Sequence, residues 1–174
     1  NVNITGSQLL TTKTTCKKFL TKNIKHLNLK HCSPILSGIV KHVSHHAPNL
    51  LSTSFSHSSI IECNGKFKYL NSLIVDRCSS LQKVNIQAPF LRYFSAKNCY
   101  QLSVVAIASQ MLEQAIITGS KQLTWENIKF SWKTCRILDF SDCALLASST
   151  NLEHSAILEQ QVKAKKRDQQ IFVR

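Results

Sequence analysis

The sequence is short of the residues that usually punctuate a chain, with only four glycines and three prolines in 174 residues. Folds that turn through glycine- and proline-rich corners are rich in both, so most turns here must be made by other residues. Acid is missing from the first third. Lys13, Lys17, Lys18, Lys22, Lys25, Lys30 and Lys41 all precede the first carboxylate, Glu62. No run of about 18 apolar residues occurs, so a membrane-spanning helix is not expected. No charged-then-apolar secretory leader opens the chain either. Catalytic signatures are also absent: there is no GxxxxGK loop, no HExxH and no paired Ser/His/Asp arrangement. Nucleotide, zincin and hydrolase chemistries therefore have no foothold, and the chain is expected not to be an enzyme. It begins at Asn1 without a methionine, as expected of a fragment or a processed product.

What is present is globular. Apolar residues make up 43% and charged residues 18%, over a length that suits one domain or one stack of repeats. The formal net charge is +13. The basic N-terminal quarter suits nucleic acid or an acidic membrane as an alternative partner, or simply a solvated cap, since aromatics are not interleaved with the lysines as single-strand binders require. A second basic cluster is Lys163, Lys165, Lys166 and Arg167. The seven cysteines are odd in number and fit neither a disulfide nor a zinc spacing. They read as reduced core thiols, which places the chain in the cytoplasm. Asn3-Ile4-Thr5 is formally a glycosylation sequon without a secretory context.

The cysteines instead follow a repeat. Ile24, Leu27, Leu29 and Cys32 share the frame LxxLxLxxC with Leu70, Leu73, Val75 and Cys78. Four more copies fit: Leu50/Thr53/Phe55/Ser58, Leu91/Phe94/Ala96/Cys99, Leu112/Ala115/Ile117/Ser120 and Cys135/Leu138/Phe140/Cys143. Apolar matches are easily found in so apolar a chain, so the weight rests on the last column. It holds only Cys or Ser, as Cys32, Ser58, Cys78, Cys99, Ser120 and Cys143. Thr53 is the one apolar miss. Three residues further on come Ile35, Ile61, Leu81, Leu102, Leu123 and Leu146, expected to complete each core layer. Side chains alternate along a strand, so the LxL pair points to one side. A single coil cannot bury its layer, so coils must stack and pair their strands in parallel. The small Cys or Ser sits where the chain bends inward and backbone groups need a compact donor.

These residues resemble the cysteine-containing leucine-rich-repeat proteins, a subclass common among F-box substrate receptors. The resemblance covers about residues 24 to 146. It implies a right-handed α/β solenoid with a parallel sheet on the concave face, and a role in recruiting a substrate to a ubiquitin ligase. A bacterial effector acting in a host cytoplasm is another version of the same module. The sequence departs from the subclass in two ways: asparagine never fills the ladder column, and repeats of 20 or 21 residues are too short for a full convex helix.

The convex side is expected to mix helix and strand. Ile35, Ile39, Val40 and Val43 fall at helical spacing between Ser33-Pro34 and Ala47-Pro48, whereas Val84/Ile86 and Val105/Ile107 recur like short strands. Three segments are expected: a basic N-terminal cap or remnant of an earlier repeat over 1–23, repeats starting at 24, 50, 70, 91, 112 and 135 over 24–149, and a capping helix over 150–174. Cys16, Phe19 and Leu20 suggest a helix in the first segment, and Leu152, Ile157, Leu158 and Val162 one in the last.

Solvent-facing positions of the front sheet follow from the same alternation. The central row is Asn28, Ser54, Ile74, Ser95, Ile116 and Asp139. One flank is His26, Ser52, Ser72, Tyr93, Gln114 and Ile137, and the other is Lys30, Ser56, Asp76, Lys97, Thr118 and Ser141. Ile74, Tyr93, Ile116 and Ile137 are expected to form an exposed apolar strip that anchors another protein. Asn28, Ser54, Ser95, Lys97, Gln114 and Asp139 would add polar contacts. No cofactor, metal or small-molecule substrate is expected. His42 and His46 are spaced for a helix-face metal pair, but no Cys or carboxylate ligand lies in that segment, so a solvated helix end is the reading. Cys63 precedes Asn64-Gly65, which reads as a turn, and is taken as a filler rather than a reactive thiol.

Overall fold

The computed structural model describes residues 1–7, 18–35, 38–131, 133–148 and 170–172. The chain coils into a parallel β-solenoid of about six turns, with one strand of each coil in a front sheet. That sheet runs β1 (Val2–Asn3), β2 (His26–Asn28), β3 (Ser52–Ser54), β5 (Ser72–Ile74), β7 (Tyr93–Ser95), β9 (Gln114–Ile116), β11 (Ile137–Asp139) and β12 (Gln170–Phe172), every neighbouring pair being parallel. The register keeps equivalent repeat positions opposite one another: Leu27 pairs with Thr53, Thr53 with Leu73, Leu73 with Phe94, Phe94 with Ala115 and Ala115 with Leu138. Apart from Thr53, these are the inward apolar positions of the repeat, and all are buried.

The back of the solenoid changes along its length. Behind the first repeat lies helix α1 (Ile39–His46), with Ile39, Val40 and Val43 buried and Ala47 closing it through a 2.9 Å bond from its N–H to the Val43 carbonyl. Gly38, at φ 72°, precedes the helix, so Ser33-Pro34 stands outside it. Behind the later coils a second parallel sheet runs β4 (Glu62–Lys66), β6 (Lys83–Gln87), β8 (Val104–Ala108) and β10 (Ile128–Phe130). Its inward residues include Cys63, Val84, Ile86, Val105, Ile107 and Ile128, all buried. A repeat of 20 or 21 residues spends its length on two strands and two bends, which leaves no room for a helix.

Three expectations need correction. Asn64-Gly65 is not a turn; both residues lie inside β4, where Asn64 pairs with Asn85 and Gly65 with Ile86. Ile61 does not complete a core layer. It is 56% exposed, and Ile60, 3% exposed, takes its place. Only five positions separate Ser58 from the inward Cys63, against six between Cys78 and Val84, so the core slot falls one residue earlier. The closing helix expected over 150–174 is not what the described end of the chain forms, because Gln170–Phe172 is a strand paired in parallel with β11. That pairing satisfies the backbone edge of β11, which a helix would leave open. Cys16, Leu152, Ile157, Leu158 and Val162 lie outside the described residues. At the other end, Val2 and Asn3 pair with Leu27 and Asn28, and the Ile4 N–H donates to the Asn28 carbonyl at 2.9 Å.

Candidate interaction face

The ladder column has a definite chemical role. The thiols of Cys32, Cys78, Cys99 and Cys143 donate to the carbonyls of Ile4, Phe55, Val75 and Ile117 at 3.1 to 3.2 Å. Each acceptor lies one coil back, at the end of the preceding strand. The thiol therefore links adjacent coils through a carbonyl that has left its sheet ladder. Ser58, with a shorter reach, bonds instead to the Phe55 carbonyl of its own coil at 2.5 Å. Ser120 is buried, and its hydroxyl has no hydrogen-bond partner among the described residues. Burial pushes the pKa of every one of these thiols up, that of Cys99 to about 12. Cys63 is fully buried and raised by the same cause, so it is a filler in the back sheet.

Just before each ladder residue the backbone takes a left-handed conformation. His31, His57, Arg77, Asn98, Gly119 and Asp142 all have φ between 56° and 68°. This is the inward bend, and in a chain with few glycines it is made mostly by residues that pay a steric penalty there. The sequence signal was Asn98, Gly119 and Asp142, residue types that tolerate this region. His31 and His57 stack at this bend with ring centroids 4.3 Å apart. His57 titrates below its ordinary value, through desolvation first and the charges of His31 and Arg77 next.

The register aligns the outward residues as rows across the front sheet. Asn28, Ser54, Ile74, Ser95, Ile116 and Asp139 stand opposite one another in sequence, as do His26, Ser52, Ser72, Tyr93, Gln114 and Ile137. Asn28, Ser54 and Ile74, with His26 and Ser52, also line a shallow depression of about 330 Å³ near the first strands. The polar members of the central row are already engaged. Asn28 accepts the Lys30 N–H at 3.1 Å, and Asp139 accepts the Ser141 N–H at 3.0 Å and the Ser141 hydroxyl at 2.6 Å. Ser54 lies 3.1 Å from the Ser56 hydroxyl. Asp76 accepts both the Ser95 hydroxyl at 2.6 Å and the Lys97 N–H at 2.9 Å. These bonds end the three-residue strands by satisfying the next free backbone donor.

Exposure separates the candidates further. Ser95 is wholly buried and Ser54 nearly so, and neither presents its side chain to a partner. The expected apolar strip is half-buried rather than fully exposed: Ile74, Tyr93, Ile116 and Ile137 are each of intermediate accessibility. Their neighbours across the narrow strand spacing shield them. They occupy β5, β7, β9 and β11 over four consecutive coils, alternating between the central row (Ile74, Ile116) and the flanking row (Tyr93, Ile137). Lys97 and Gln114 flank them, half-buried, with no side-chain partner among the described residues.

The other sequence candidates do not gather. Lys30 stands at the edge of the front face and Lys41 on α1 at the back, while Lys13 and Lys17 lie outside the described residues, as does the run Lys163 to Arg167. His42 and His46 meet edge to face at 4.3 Å, and no group of three metal-capable side chains occurs among the described residues. Among those residues, too, no helix is long and apolar enough to cross a membrane. The chain matches no protein-family model, and no curated protein or solved structure is detectably similar to it.

Proposed function

We propose that this solenoid is a non-catalytic protein-interaction module of the leucine-rich-repeat type, and that it grips its partner with the apolar zigzag of Ile74, Tyr93, Ile116 and Ile137. The observation that carries this reading is the division of labour on the front sheet. The polar side chains of the central row are occupied in ending strands, and the uncommitted surface is an apolar zigzag flanked by Lys97 and Gln114. Spread over four strands at roughly 4.8 Å spacing, it spans about 15 Å, the width of a hot-spot cluster rather than a whole interface. Rigid strands hold it, so binding costs little ordering entropy.

The ladder of thiols and the LxL strands support the leucine-rich-repeat assignment. The mixed helix-and-strand back is what a short, irregular member of that class would need. Under this reading the chain works in a cytoplasm, where its thiols stay reduced, either as a substrate-recognition subunit resembling those of ubiquitin ligases or as a bacterial effector in a host cytoplasm. Capture from a lysate tests the face. A partner retained by the unaltered chain and by Lys129→Glu on the back sheet should be lost with Ile116→Arg and with Tyr93→Arg. Equal retention by all three variants would remove the front face from the account.

A further inference from the structure

A recess of about 510 Å³ lies where α1 steps down onto the back sheet. Its walls are Lys41 and His45 from the helix, Asn64 and Lys66 from β4, and Asn85 and Gln87 from β6. The step arises because a helix is wider than the strand that replaces it behind the next coil. Gly65 brings the two together: a Cβ there would come within 2.7 Å of the Phe67 ring and 3.4 Å of Ser44 on the helix.

We propose that this recess binds a small molecule bearing a phosphate or sulfate group. No carboxylate lines it, and its two lysines form no ion pair among the described residues. The side-chain amides of Asn85 and Gln87 likewise have no partner among those residues. The side-chain oxygen of Asn64 is buried with no hydrogen-bond donor among the described residues, while its amide is held by Glu62. Two cations therefore line one recess together with uncommitted donors, and an oxyanion held by Lys41 and Lys66 would satisfy them. The volume suits a small molecule and exceeds what a bare oxyanion fills.

The recess beside it sharpens the assignment. It is of similar size, about 530 Å³, and shares Lys41 and Asn64, but Glu62 and the apolar Ile35, Ile60 and Ile61 line it. A carboxylate and an apolar wall make it a poor host for an anion. Lys83 also lies on β6 but does not line the site, which makes it an internal control.

Titration of the chain with inorganic phosphate and with sulfate, followed by amide resonances against chloride at matched ionic strength, tests the proposal. Saturable shifts at Gly65 and at the side-chain amides of Asn64, Asn85 and Gln87 are expected, and the tighter of the two anions names the ester class. The double variant Lys41→Gln/Lys66→Gln should weaken binding about tenfold or more, whereas Lys83→Gln should leave it unchanged. Shifts that chloride reproduces, the lack of saturation by either anion, or equal binding by the double variant would each overturn it.

Discussion

At the scale of single residues, the fold rests on where small hydrogen-bonding side chains can be buried. A thiol at the ladder position reaches a carbonyl one coil away, and the two serines mark where that bond is missing. Ser120, buried with no partner among the described residues, should gain from becoming a cysteine: Ser120→Cys is expected to stabilise the chain by about 1 kcal/mol in urea unfolding. Thr53 makes the complementary case. Its hydroxyl is buried between Leu27 and Leu73 with no partner among the described residues, so Thr53→Val, nearly equal in volume, should add about 1 kcal/mol or more. A loss of stability in either variant would show that the site has found a bond elsewhere.

The thiols also set a pH dependence. The thiol of Cys99 rises from 9.0 to about 12 in the folded chain. Below pH 9 both folded and unfolded states hold the proton, and the full contribution is present. Above it the unfolded state ionises first, so stability falls as pH climbs from about 9 towards 12, by up to about 1.4 kcal/mol per unit for each such thiol. Unfolding followed at pH 8, 9 and 10 should show this decline, and the slope should be shallower in Cys99→Ser. The same slope in both would mean that Cys99 ionises equally in the two states.

At the scale of elements, what could be read from the sequence was what repeats. The LxL strands and the Val84/Ile86 and Val105/Ile107 pairs appear in register because alternation and stacking leave one solution. Local signals failed where a neighbour overrode them. Asn64-Gly65 has the composition of a turn, yet it lies at the strand edge beside α1, and the glycine is there for close approach rather than for turning. Gly65→Val should therefore cost about 1 to 3 kcal/mol, since the buried Phe67 ring cannot move aside freely. Thermal unfolding checks this, and a neutral effect would show that the helix can retreat from β4. Ile61 was misplaced because one coil is a residue shorter between ladder and back strand, a difference that equal spacing hides. The strand at Gln170–Phe172 was illegible for another reason: β12 is specified by the open edge of β11, on which the local sequence is silent.

At the scale of the whole molecule, coils that contact mainly their neighbours give a rigid scaffold on which surface changes act independently of folding. Which residues align on the front face was legible from alternation alone. Which of them are free was not, because it depends on hydrogen bonds between a side chain and backbone donors two residues on or one coil away, as with Asp139 and Asp76. Two faces follow: a front whose polar groups mainly hold the strands and whose apolar zigzag is available, and a back whose lysines and amides line a recess. The most direct test of the central claim is the dissociation constant for the partner recovered on the front face, measured for the unaltered chain and for Ile116→Arg alongside thermal unfolding. The account predicts at least about a thirtyfold loss of affinity with an unchanged unfolding temperature. Unchanged affinity would contradict it.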